Sequence, residues 1–134
     1  MRVAEIMSHK VHTVNQHENI SRVMYLMNYE KIRHLPVVEK GRIVGIVSDR
    51  DLYKALGTRE HTLEVESEEQ LHSSNRVQNI MRRGVVTTTP EASVSEAADL
   101  MAGHKIGALP VVVDNKLVGI VSAVDILKLM AKQA

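Results

Sequence analysis

Apolar positions along this chain follow two spacings, and the succession of spacings occurs twice. Ile20, Val23, Met24 and Met27 stand at i, i+3, i+4 and i+7, the spacing of one helix face, and Val94, Ala97, Ala98 and Met101 repeat it. Ser93 and Glu96 have capping-box spacing at the start of the second of these helices. Shorter apolar runs follow each helix. Leu35–Glu39, a turn at Lys40-Gly41 and Ile43–Val47 read as a hairpin, and Leu109–Val113, Asp114-Asn115 and Leu117–Val121 read as its twin. A closing helix is expected after Ser48 and after Ser122. Ahead of each long helix stand a possible helical turn (Val3–Met7, Val77–Met81) and a short strand (Val11–Val14, Val85–Thr88).

The two halves superpose in sequence without a gap. At the 74-residue offset from Gly45 to Gly119, VAEIMSHKVHTV lies over VQNIMRRGVVTT, and KIRHLPVVEKGRIVGIVSDRD lies over KIGALPVVVDNKLVGIVSAVD. The register is continuous from Val3–Leu56 to Val77–Met130, which indicates duplication. The chain therefore divides into a first repeat (1–56), a polar, glutamate-rich linker (57–76) and a second repeat (77–134). The linker reads as a solvated connection, with a lid or partner-docking segment as the sharper alternative. A unit this short rarely builds a sufficient core alone. The strands RIVGIV and KLVGIV are nearly continuous apolar runs, which suggests burial on both faces. An α+β fold is expected, its two units packed about a pseudo-two-fold axis.

Composition narrows the function. Hydrophobic residues make up 44% and charged residues 25%, the balance of a globular rather than a disordered chain. A formal net charge of +1 gives no electrostatic reason for a nucleic-acid or membrane-surface partner, and three tyrosines are too few for a base-stacking platform. Without cysteine there is no disulfide, thiolate nucleophile or cysteine zinc site. The first residues, MRVAEIMSHK, lack a signal-peptide core, and the longest apolar run, ALPVVV, is too short to span a bilayer, so a cytoplasmic location is expected.

The most informative phrase is GIVSDRD, with its twin GIVSAVD. Ser48 with Asp51, and Ser122 with Asp125, have the spacing of a capping box at the start of the closing helix. That structural role alone would explain both pairs. The same geometry also suits a nucleotide. A carboxylate at a helix start can accept hydrogen bonds from vicinal hydroxyls, helix amides favour phosphate, and Gly45 and Gly119 permit close approach by a neighbour or ligand.

The doubled pattern IM…V…T…LPVV…VGIVS..D resembles a tandem pair of cystathionine-β-synthase (CBS) domains, the Bateman module, of the stand-alone bacterial, acetoin-utilisation type. The resemblance covers nearly the whole chain apart from the linker. It implies two βαββα repeats with two clefts, and an adenosine-type ligand: AMP, ADP, ATP or S-adenosylmethionine, held as a regulatory ligand rather than an obligatory cofactor. It assigns ribose and phosphate contacts to Ser48, Asp51, Ser122 and Asp125. Thr13, Thr87 and Thr89, with Gly45 and Gly119, become base-pocket candidates. Arg33 and His34, immediately before LPV, become phosphate candidates, as does Arg50. It further implies a homodimer and an effector protein not identified by the sequence.

The repeats differ at these positions. Arg33-His34 becomes Gly107-Ala108, and Asp49-Arg50 becomes Ala123-Val124, so unequal phosphate preferences are expected. Arg33 and Arg50 read equally well as solvated surface residues. His9 and His12 have metal-pair spacing without supporting ligands, so no metal is expected. No nucleophile or base accompanies Asp51 or Asp125, so no enzyme activity is expected. A regulatory nucleotide-sensing module is the leading reading. A ligand-free dimerisation module, with both SxxD pairs acting only as caps, is the alternative.

Overall fold

The computed structural model describes residues 1–57 and 75–133. Most of the linker, 58–74, lies outside the described residues. The fold is α+β, and the described chain forms two compact units. One unit contains His12–Val85. It consists of α1 (Ile20–Glu30), β1 (His34–Glu39), β2 (Arg42–Ser48), α2 (Asp49–Leu56) and a 3₁₀ turn at Val77–Asn79. The other contains Met1–Val11 with Val86–Ala134. It consists of a 3₁₀ turn at Val3–Glu5, α3 (Val94–His104), β3 (Ala108–Val113), β4 (Lys116–Ser122) and α4 (Ala123–Gln133).

Packing units and sequence repeats are thus different divisions of the chain, because the leading segment of each repeat packs with the body of the other. Val3 is fully buried in a core with Ala97, Met101, Leu109, Val111 and Val121. Its N–H donates to Ala92 O at 2.8 Å, and Ala4 N–H donates to Pro90 O at 3.0 Å. Val77 is fully buried with Ile20, Val23, Leu35, Val47 and Leu52, and its N–H donates to Glu18 O at 2.9 Å. Each of the larger buried side chains contributes about 1.5–3 kcal/mol.

Local chemistry explains the elements. Asn19 caps α1 by accepting from Ser21 N–H, and Ser93 caps α3 by accepting from Glu96 N–H at 3.0 Å. Both hairpins are antiparallel, pairing Leu35 with Val47 and Leu109 with Val121. Their turns need two consecutive residues at positive φ, supplied by Lys40 and Gly41 (52° and 81°) and by Asp114 and Asn115 (51° and 64°).

Two sequence expectations change. The short strand ahead of each long helix contracts to one parallel bridge, Val14 to Val37 and Thr88 to Val111. Val14 N–H donates to Pro36 O and Val38 N–H to Val14 O, but Pro36 has no N–H to extend a ladder. The chain then turns at once, locked by His17 N–H on Asn15 Oδ1 at 2.8 Å. The VGIV strands are not fully buried on both faces. Buried positions alternate with half-buried ones in β2, and Val118 in β4 is exposed, because the second face of each strand is covered only in part.

Candidate functional site

In each hairpin the second strand ends on the serine that starts the closing helix. Ser48 is the N-cap of α2. Its hydroxyl accepts from Asp51 N–H at 3.2 Å, and the Asp51 Oδ2 accepts from Ser48 N–H at 2.8 Å. Ser122 and Asp125 repeat this at the start of α4, with the same distances of 3.2 and 2.8 Å. Both capping boxes are therefore complete, which is the structural role expected of these pairs.

The first site gathers further polar groups at the same end of the hairpin. His34 pairs in register with Ser48. Burial pushes its imidazole below the ordinary histidine range, against the pull of the Asp49 and Asp51 carboxylates, while Arg33 lowers it further. The main chain of Arg33 is tied to α2, since its carbonyl accepts from Asp49 N–H at 2.9 Å. The side chains of Arg33 and Arg50 are exposed. The corresponding backbone bond in the second site runs from Ala123 N–H to Gly107 O, also at 2.9 Å, but the side chains there are small and uncharged.

The remaining candidates have varied surroundings. Thr13 and Thr87 are half-buried and Thr89 is exposed. Gly45 and Gly119 have a packing explanation. A Cβ on Gly45 would stand 2.7 Å from Met81 Sδ, and one on Gly119 would stand 2.8 Å from Met7 Sδ and 2.9 Å from Ser8 O. The neighbour each glycine admits is thus the leading segment of the other repeat. Among the described residues no cluster of three or more His, Asp or Glu could hold a metal.

Sequence reasoning missed Arg82. Its Nε donates to Asp51 Oδ1 at 3.3 Å, joining an exposed guanidinium to a carboxylate whose side chain is 11% exposed. The signal was present in the offset that aligns the repeats, because Arg82 lies over Ser8, a charge difference adjoining the matched Ile-Met pair.

Comparison with known proteins converges on one family. The CBS domain model matches residues 3–58 and 77–132. The homoserine O-acetyltransferase of Methanococcoides burtonii is 36% identical over 130 residues, 96% of this chain, but the chain spans only 24% of that relative's length. The structure of the CBS domain pair of protein MJ0100, in complex with 5′-methylthioadenosine and S-adenosyl-L-methionine, is similar over 100% of this chain and 98% of that one, with a TM-score of 0.85 and 28% identity. A Vibrio cholerae protein assigned to acetoin utilization (AcuB) is similar over 99% of this chain and 92% of that one, with a TM-score of 0.82 and 30% identity.

Proposed function

The chain belongs to the CBS domain family, and on that premise we propose that it is a regulatory module, not an enzyme, that binds an adenosine-type ligand and signals to a partner protein. One observation carries the reading: each repeat places a carboxylate at a helix start with only one oxygen, Oδ2, accepting from the capping serine's N–H. The other oxygen of Asp51 and of Asp125 is the acceptor for ribose hydroxyls. Ser48 and Ser122 flank the sugar, and Thr13, Thr87 and Thr89 flank the base. In the first repeat Arg33, His34 and Arg50 favour phosphate. The adenosyl compounds bound by the MJ0100 domain pair support this ligand class. Which adenosyl compound is physiological, among AMP, ADP, ATP and S-adenosylmethionine, is decided by titrating each separately.

Titration calorimetry on the intact chain tests the reading. Asp51→Ala and Asp125→Ala should each remove one binding event. Each also deletes a cap contributing about 1 kcal/mol, so ligand-free stability is the control. Ligand at a hundredfold excess over Kd should raise stability by about 2.7 kcal/mol. Arg33→Ala should weaken nucleotides with more phosphates most. No heat with any of these ligands, together with Asp variants that lose only the cap, would leave the capping role as the whole function of both pairs.

The second reading, a ligand-free dimerisation module, draws on surface chemistry. Val124, Leu127 and Met130 on α4 are exposed apolar side chains, as are the adjacent Tyr25 and Tyr29 on α1, whose rings are 4.6 Å apart and tilted by 36°. A homodimer covering such faces is compatible with ligand binding as well. Light scattering that finds only monomer over a wide concentration range counts against it. The location consistent with this role is the cytoplasm.

A further inference from the structure

The two aspartates are held by the same backbone but are not equally open. Asp51 Oδ2 is taken by its own helix start, accepting from Ser48 N–H at 2.8 Å and from the Ser48 hydroxyl at 3.0 Å. Oδ1 is what remains for a ligand, and Arg82 Nε donates to it at 3.3 Å. Arg82 does not reach this position by chance of rotamer alone. Its N–H donates to Ile46 O at 2.9 Å and Ile46 N–H donates to its carbonyl at 3.0 Å, a two-bond bridge that fixes its main chain beside β2. The other unit supplies an internal control. Ser8 forms the same bridge with Ile120, at 2.9 and 3.0 Å, but its hydroxyl donates to Lys10 O at 3.3 Å. Among the described residues no guanidinium lies on Asp125.

We propose that Arg82 latches the first site: it holds the carboxylate oxygen that a vicinal diol needs, so a nucleoside enters at Asp51 only by displacing Arg82, whereas Asp125 is open. This rests on the nucleoside reading of the two aspartates. It adds an inequality between the sites that is independent of phosphate, since it acts on the sugar. The side chain of Arg82 is 65% exposed, so it can swing away without unpacking the core. An ion pair with one exposed partner is worth at most about a factor of five in affinity, which is the right size for a latch rather than a block.

Adenosine is the probe, because a neutral ligand gains nothing from a nearby cation by simple charge attraction. In an Asp125→Ala background, which isolates the first site, Arg82→Ser should tighten adenosine binding measurably, by up to about fivefold, in calorimetry. In an Asp51→Ala background, Ser8→Arg should weaken binding at the second site by a similar factor. Raising salt from about 0.05 to 0.5 M should tighten adenosine at the latched site and leave the Arg82→Ser protein unmoved, because salt screens the exposed ion pair. Arg82→Gln serves as a second variant and thermal unfolding confirms that each protein folds. Adenosine binding that is unchanged or weakened by both Arg82 variants overturns the latch and leaves the nucleoside reading intact. Absence of adenosine binding in every background overturns both.

Discussion

Leu52 on α2 and Ile126 on α4 occupy the same place in their repeats, yet Leu52 is fully buried while Ile126 is partly exposed. The neighbouring positions differ as well: on α2 Arg50 is exposed, Tyr53 is half-buried and Leu56 packs against the core. Arg50, Tyr53 and Leu56 on α2 correspond to Val124, Leu127 and Met130 on α4, all three of which are exposed. The main-chain framework, in contrast, is shared almost bond for bond: the same cap distances, the same bridge to the middle of the second strand, the same positive-φ turn. Backbone donors and acceptors must be satisfied in both copies, so duplication preserves them. Side chains at the open end carry no such obligation. There Arg33, His34, Asp49, Arg50 and Arg82 stand against Gly107, Ala108, Ala123, Val124 and Ser8. The scaffold is held in common, and these ionisable side chains of the first site have small or uncharged counterparts in the second.

The largest difference should appear in the closing helices. Leu52→Ala removes a fully buried side chain and should cost about 3 kcal/mol, whereas Ile126→Ala should cost roughly 1–2 kcal/mol. Urea unfolding of the two variants measures this directly. Equal losses would mean that α4 is as deeply seated as α2, and the contrast between the helices would fail.

The strand glycines sharpen the comparison in the opposite direction. At Gly45 the nearest obstacle to a Cβ is Met81 Sδ at 2.7 Å, the end of a flexible side chain, and the main-chain Arg82 O is at 3.1 Å. At Gly119 Met7 Sδ is at 2.8 Å and the main-chain Ser8 O at 2.9 Å; each carbonyl is pinned by a bridge, Arg82 O to Ile46 and Ser8 O to Ile120. In both units the thioether can rotate away while the bridged carbonyl cannot, and the carbonyl is the closer one at Gly119, 2.9 against 3.1 Å. Gly119→Ala should therefore destabilise by about 2 kcal/mol and Gly45→Ala by about 1 kcal/mol. The same denaturation measurement checks it, and a reversed order would show that the methionines, not the carbonyls, set the cost.

What could be read in the sequence divides along the same line. Elements specified by local chemistry were legible: the apolar stripe of α1 at Ile20, Val23, Met24 and Met27, the Lys40-Gly41 turn, and the Ser48–Asp51 cap. Features created by packing between distant segments were not. Nothing local to Val3 or Val77 says that each is buried with the body of the other repeat. The glycines signalled a close approach without naming Met7 and Met81 as what approaches. Arg82 was hidden for the same reason, since it meets Asp51 only after the chain has returned to β2. The short strands were overread because Val11–Val14 has strand composition, while Pro36 and the Asn15 turn limit it to one bridge.

The smallest expected difference lies in the response to pH. His34 is half-buried, and its counterpart Ala108 has no titratable group. Burial holds the His34 imidazole below its ordinary value of about 6.5, with Asp49 and Asp51 opposing that shift and Arg33 adding to it. Between the folded and unfolded values the unfolded chain binds more protons, so stability rises with pH across that window. The contribution is fully present above about pH 6.5 and is lost as pH falls through the folded value. Wild-type protein should lose stability on acidification from about pH 7 to 5, a range chosen to lie above ordinary carboxylate titration. His34→Ala, which gives the first site the residue of the second, should flatten that part of the profile. Arg82→Ser acts on the same cluster from the other side: without its guanidinium on Asp51, the carboxylate is freer to stabilise the protonated imidazole, and the slope should become shallower than in wild type. A His34→Ala profile parallel to wild type would show that burial of this histidine does not govern the acid response.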